Sequence, residues 1–218
     1  MTTFPGSPKI DKGGIVLVDP RNGKTLSLIS LQYNPDSLTR SFEPKAFGGG
    51  NQFDSQRFSG PAVETITIDA EIDAADQLEF PDEHQDTIEN GIQPQLAALE
   101  SLINPTSEQL NRNNILASAG TLEIAPMEAP LVLFIWSRNR ILPVNIATLS
   151  FTEEAFDAQL NPIRATINLK MTVLTVTELG FDHKGGSLFM NYLQNKERLA
   201  SKSTGASLDD FGISSLPL

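Results

Sequence analysis

Apolar and polar residues alternate strictly along Val63–Asp73, and this period of two predicts a half-buried β-strand. Threonine and acidic side chains occupy the intervening positions, so one face of the strand is expected to meet water. The positions predicted to face the core are Ile66, Ile68, Ala70 and Ile72.

Further strands are predicted where β-branched and aromatic residues cluster between turn signals. Asn22-Gly23 is a strong hairpin signal between the first two of them. An apolar stretch at 131–137 is predicted to be buried on both faces. The predicted strands are 14–19, 25–33, 37–42, 63–73, 121–126, 131–137, 144–156 and 163–179.

One helix is predicted over residues 93–103. Apolar residues from Ile88 to Ile103 recur at spacings of three, four and one, which places them on a single stripe. Pro94 suits a first-turn position, and Asn104-Pro105 ends the helix. Residues 105–120 are polar, and no regular element is predicted there. A second helix is predicted from Ser187 to Leu199.

These elements predict a mainly β, α+β chain: an antiparallel β-sandwich or barrel with one flanking helix. The predicted organisation is a flexible N-terminal arm over residues 1–13 and a β domain over residues 14–179. Residues 180–218 are predicted to form a C-terminal helix followed by an extended tail.

The stretch from Ile163 to Leu179 contains no glycine or proline, and as a strand it would measure about 56 Å. It pairs naturally with 144–156 around a turn at Asp157–Asn161, in the register whose paired residue numbers sum to 318. Opposite charges and matched hydroxyls then lie across the ladder. The predicted pairs are Phe151 with Ile167, Leu149 with Leu169, Glu154 with Arg164, Thr152 with Thr166, and Ser150 with Asn168.

Apolar residues of this hairpin occupy odd positions near the turn and even positions farther away, such as Leu142, Val144, Leu174 and Val176. The switch predicts two zones that bury opposite faces, one of which needs a second surface. Neighbouring copies in a ring would supply it by closing a large barrel, which also removes exposed strand edges. The alternative is a bulged, strongly twisted hairpin inside an ordinary sandwich.

The ring hypothesis assigns two sets of residues. The predicted ring or barrel interface consists of Leu149, Phe151, Arg164, Ile167, Leu169, Met171, Leu174 and Val176. The side chains predicted to face a polar lumen are Thr148, Ser150, Thr152, Thr166, Asn168 and Lys170.

Composition narrows the classes of partner. The net charge of −11 disfavours nucleic acid, and the lack of cysteine excludes disulfides and thiolate metal sites. The longest apolar run, 129–136, is far shorter than the roughly 20 residues that span a membrane. No secretory signal is visible, so synthesis in the cytoplasm without direct membrane insertion is expected.

No catalytic motif or cofactor site is predicted. His84 and His183 lack partners at metal-ligand spacing, and the acidic residues of 69–73 are interpreted as a solvated strand face. Trp136 is interpreted as a core residue rather than a sugar platform. Two alternatives remain: a stand-alone β-sandwich module that binds carbohydrate or protein, and a hydrolase without a recognisable motif.

Three segments, in this order and spacing, resemble the tube and tube-initiator (spike-adaptor) proteins of phage-tail-like contractile injection systems. They are "LQYNP" at 31–35, "APLVLFIWS" at 129–137 and "LSFTEEAFDAQLNPIRATINLKMTVLTV" at 149–176. The resemblance covers about residues 14–179. It implies a hexamer of β-sandwich subunits whose hairpins build a barrel continuous with an inner tube.

The resemblance also implies partners and a role. The expected partners are further copies of the chain, a neighbouring tube ring, the spike protein and other baseplate proteins. The expected role is a structural baseplate component that joins the spike to the tube and initiates tube assembly in a phage-tail-like particle. Residues 180–218 are too short and too polar for the LysM module that many relatives carry, and Ser137 stands where the family often has glycine.

Overall fold

Seven strands and six α-helices make up the part of the chain that the structure describes. It is a computed structural model that describes residues 11–45, 58–118, 129–203, 205 and 207–215. The strands are β1 (Gly14–Val18), β2 (Thr25–Ser30), β3 (Leu38–Glu43), β4 (Val63–Asp73), β5 (Leu131–Ser137), β6 (Arg140–Phe156) and β7 (Pro162–Val173). The helices are α1 (Ala75–Leu78), α2 (Gln85–Asn90), α3 (Gln93–Glu100), α4 (Ser107–Ser118), α5 (Val176–Leu179) and α6 (Lys184–Ala200).

All seven strands belong to one sheet with the order β2-β1-β5-β6-β7-β4-β3, and every pair is antiparallel. The predicted α+β class with an antiparallel sheet is therefore confirmed. Closure of this sheet into a barrel is not seen among the described residues. The sheet is curved, since residues next to β2 and on β4, which are far apart in the strand order, are in contact. The Gln32 side chain beyond β2 exchanges hydrogen bonds of 2.6 and 3.0 Å with the backbone of Asp73 on β4.

The register predicted for the long hairpin is confirmed. Phe151 pairs with Ile167, Leu149 with Leu169, and Glu154 with Arg164. Because a slip of one residue would turn every side chain to the other face, the apolar pattern on both strands was sufficient to fix the pairing.

The prediction that the hairpin buries opposite faces in two zones is wrong. Ile146 pairs with Met171 and Thr148 pairs with Lys170, which leaves Ala147 as an extra, unpaired residue in β6. This β-bulge moves the apolar positions of β6 from odd to even numbers without turning the strand over. Val144 and Leu149 therefore face the same core.

The last six residues of the predicted long strand do not continue it. β7 ends at Val173, and the next residues form the single turn α5. Thr175 caps this turn: its hydroxyl accepts a hydrogen bond from Thr177 N–H, and the Glu178 carboxylate accepts one from Thr175 N–H at 2.9 Å. The T-x-x-E spacing is a capping-box signature that overrides the strand-like composition.

The helix predicted over 93–103 is present as α3, which ends at Glu100, and the predicted C-terminal helix is present as α6, which begins earlier, at Lys184, and ends at Ala200. Residues 107–118, for which no element was predicted, form α4. Its start is marked by reciprocal hydrogen bonds between Thr106 and Gln109, another capping-box spacing. Residues 1–10, which are most of the predicted N-terminal arm, lie outside the described residues. The predicted strand at 121–126 lies outside them as well.

One hydrophobic core receives side chains from both halves of the curved sheet. Ile15 of β1, Phe134 of β5 and Met171 of β7 are almost fully enclosed, with exposures of 1, 0 and 0 %. Leu99 of α3 and Phe189 of α6 close the cluster from outside the sheet. No helix among the described residues combines the length and apolar character needed to cross a membrane.

Candidate functional site

Four strands present a continuous polar face on the side opposite the core. β3, β4, β7 and the half of β6 beyond its bulge are neighbours in the sheet, and alternate residues on each point away from the core. We call these residues the polar face; more than half of them carry hydroxyl groups. They are Thr39, Ser41, Thr65, Thr67, Asp69, Glu71, Asp73, Thr148, Ser150, Thr152, Glu154, Arg164, Thr166, Asn168, Lys170 and Thr172.

All six residues predicted to face a lumen lie on this polar face. Five of them are exposed and Asn168 is half-buried, with its amide donating a 2.6 Å hydrogen bond to Asp69. The structure therefore brings this set together as the sequence predicted. That the face lines a lumen stays a prediction.

An ion-pair group sits at the end of the polar face nearest the β6–β7 turn. Arg164 Nε donates to Asp73 at 2.7 Å, and Glu71 lies 3.7 Å from the same nitrogen. Burial alone would raise the pKa of Asp73, but the Ala75 N–H and the Arg164 guanidinium outweigh burial and lower it. The hydrogen bond and charge of Asp73 raise the pKa of Arg164. Both groups therefore stay charged, and they join β4 to β7.

The residues predicted for the ring interface do not share one surface. Ile167, Leu169 and Met171 are 3, 2 and 0 % exposed in the core of a single protomer, so their side chains cannot meet a neighbour while the protomer stays folded. The prediction that these three side chains lie at an interface between copies is therefore wrong. Arg164 lies on the polar face, and Leu174 and Val176 lie beyond the end of β7.

Leu149 and Phe151 are the two predicted interface residues that lie on an open edge. They are half-buried against the core on the distal half of β6. β5 pairs with β6 only between Arg140 and Val144. Within the described residues, no strand pairs with β6 beyond that point on the side away from β7.

β3 forms the other open edge of the four-stranded unit, because it pairs with β4 alone. Its core-side residues are Leu38, Arg40 and Phe42, and the Phe42 ring is 47 % exposed. This edge was not predicted from the sequence. The alternation in "SLTRSF" indicates a strand with an aromatic residue on one face, but its place at the edge depends on the strand order.

The helical corner at α2–α3 holds the tip of the hairpin. Ile92 N–H donates to the Pro162 carbonyl at 2.9 Å, and the Asn161 amide donates to the Glu89 carbonyl at 3.1 Å. Gly91 allows this approach: its φ is 58°, and a Cβ there would lie 2.2 Å from the Pro162 oxygen. The α2–α3 corner therefore fixes the position of the hairpin tip.

Residues weighed for chemistry have structural contacts. His183 caps α6, with its Nδ1 accepting a 3.1 Å hydrogen bond from Gly185 N–H. Trp136 stacks on Phe134 at a centroid distance of 5.9 Å, and it is half-buried. The expectations of no catalytic site, no cofactor and no metal stay predictions.

No protein-family model matches this chain, and no curated protein is similar enough in sequence to count as a relative.

Proposed function

We propose that this protein is a structural subunit that assembles head-to-tail into a ring, as a tube or tube-initiator component of a contractile injection system. The observation that carries this proposal is the pair of open edges on β3 and on β6 beyond its bulge. They bound one four-stranded unit whose two faces are already assigned, one to the core and one to solvent.

The open edges of β6 and β3 can pair with each other in two copies, because the unit between them has an even number of antiparallel strands. Neighbours in the order β6-β7-β4-β3 are antiparallel, so β6 and β3 run in opposite directions. A second copy that placed its β6 beside β3 would therefore continue the antiparallel alternation. Such a contact is heterologous. Repeating it produces a closed ring when a whole number of these rotations makes one full turn. Closure leaves no open edge, which is how barrels avoid uncontrolled strand pairing.

The polar face would line the channel of this ring. Short hydroxyl side chains give a wall that is hydrated and presents no apolar surface to a passing chain. Leu149 and Phe151 of one copy would pack against Phe42 of the next at the seam. These side chains would thereby lose their contact with water. Fully burying an exposed side chain of this kind contributes about 1.5–3 kcal/mol, so each of these partly exposed residues adds a fraction of that.

Charge is distributed unevenly along the strand axis, which would give the ring two different ends. Residues 69–90 and 153–164 together contain twelve acidic residues and a single arginine. Their combined charge of −11 equals the net charge of the whole chain. Both stretches lie at the hairpin-tip end, because Asp73 and Glu154 flank Arg164 in the ladder. Two such ends repel each other, so we propose that one end meets the next tube ring and the other meets the spike and baseplate.

Disulfide trapping between engineered cysteines tests the proposed edge pairing. The chain has no native cysteine, so Thr39→Cys on β3 combined with Cys at Thr148, Ser150 or Thr152 gives three clean double variants. The paired positions are three strands apart within one protomer, about 14 Å, which is too far for an internal disulfide. We expect at least one double variant to give a ladder of covalent oligomers on oxidation.

The single-cysteine variants are the matched controls, and they can form dimers at most. If none of the double variants exceeds a dimer, the edges do not meet. A monomeric protein would then favour the alternative of a stand-alone binding module.

A further inference from the structure

β3 is the weakest member of the proposed ring seam. It has six residues, and it is bonded to β4 only. An edge strand is held by ladder hydrogen bonds on one side only. The edge that must receive a neighbour therefore needs a second attachment to hold its position.

A buried carboxylate supplies a link between β3 and the C-terminal helix. Glu64 of β4 is 3 % exposed, and its oxygens accept hydrogen bonds from Arg40 at 2.7 Å and Lys196 at 2.9 Å. The Tyr192 hydroxyl donates to the same carboxylate at 3.0 Å and accepts from Arg40 at 2.7 Å. Burial and the neighbouring Glu64 charge raise the pKa of Tyr192, so this hydroxyl keeps its proton.

The same cations fix the exposed aromatic residue of the edge. The Phe42 ring lies opposite Glu64 in the ladder, with Arg40 Cζ 4.9 Å and Lys196 Nζ 4.8 Å from its centroid. Both contacts are within the range of cation–π attraction. Arg40 and Phe42 thus connect to α6 through side chains more than 130 positions away in sequence.

We propose that α6 is a brace that holds the β3 edge in its ring-competent position, with Tyr192 and Lys196 as the positioning residues. This inference rests on the proposed ring function, which gives the edge its purpose. Charge-assisted hydrogen bonds around a desolvated carboxylate are strong and directional, so the cluster orders β3 as well as stabilising the fold. The C-terminal helix thereby controls assembly without touching the neighbouring copy.

Amide hydrogen exchange on full-length variants tests the brace. Lys196→Met keeps the length of the side chain and removes its charge, and Tyr192→Phe removes only the hydroxyl. Lys202→Met, at an exposed position just beyond α6, changes the net charge equally and is the matched control. We expect amides of 38–43 to exchange at least tenfold faster in the first two variants, with β6 and β7 unchanged, and ring yield to fall in parallel.

Each outcome decides the proposal. Unchanged exchange at β3 overturns the brace, and uniformly faster exchange across the sheet shows that the cluster only stabilises the whole fold. If the wild-type protein forms no ring, the proposed function fails, but the exchange at β3 still reports whether α6 holds that strand. Faster exchange at β3 with normal ring yield separates the brace from assembly and overturns its proposed purpose.

Discussion

Deletion of Asn168 is expected to abolish cooperative folding, whereas deletion of Ala147 is expected to leave a folded protein with a lower melting temperature. Asn168 lies in the middle of β7, between two bonded neighbours. Removing it turns either Ile167 or the set Leu169, Met171 and Val173 away from the core. Each buried side chain of this kind contributes about 1.5–3 kcal/mol, and a whole domain is stable by only about 5–15 kcal/mol.

Ala147 is different because it has no partner in the ladder. Its removal makes Ile146, Thr148 and Leu149 a regular alternating run that still points Ile146 and Leu149 at the core. Thermal unfolding followed by circular dichroism distinguishes the two deletions. Loss of folding in both would show that the bulge is itself required, and survival of the Asn168 deletion would contradict the assigned facing of β7.

Phe42→Glu is expected to leave the protomer folded and to reduce ring formation to background. Arg40 and Lys196 already lie within 5 Å of the Phe42 ring and pair with Glu64, so the new carboxylate shares two cations with Glu64 and the cluster holds two charges of each sign in the isolated chain. At the seam the same carboxylate would be desolvated against Leu149 and Phe151 of a neighbour. An inward-pointing charge on an edge strand blocks edge pairing, and desolvating it costs on the order of several kcal/mol.

Phe181→Glu is the control for the loss of an exposed aromatic residue, since Phe181 is 69 % exposed between α5 and α6. Native mass spectrometry and melting temperature are measured for both variants. The seam assignment fails if Phe42→Glu assembles as well as Phe181→Glu does. A large drop in melting temperature would instead place Phe42 in the fold of the protomer.

Periodicity was sufficient to predict most of the sheet. Alternation gave the right faces in β4 and the right faces and register in the hairpin between the turn and the bulge, because one side of each strand is buried and a slip would expose it. The polar face followed from the same pattern: Thr148, Ser150 and Thr166 sit where the alternation put them.

Local backbone features account for the errors. A bulge at Ala147 and a zone of opposite burial produce the same change of parity in a sequence, and only the pairing with Met171 and Lys170 separates them. Thr175 and Glu178 ended the strand through a capping box inside a run of β-branched residues. Equivalent hydrogen bonds at Thr106 started α4 in a segment without an apolar stripe.

Contacts between residues far apart in the chain could not be predicted from the sequence. Nothing in the spacing of Glu64, Tyr192 and Lys196 shows that they meet, because the contact depends on how the C-terminal helix crosses the sheet. The same limit applies to the proposed seam: Phe42 and Phe151 lie on open edges that are visible only when the strand order is known.

The mass of the purified protein in solution tests the central claim most directly. Light scattering coupled to size-exclusion chromatography, at physiological salt, should give a closed ring of six times the 23.7 kDa protomer mass. A mass of one protomer over the whole accessible concentration range would contradict the account.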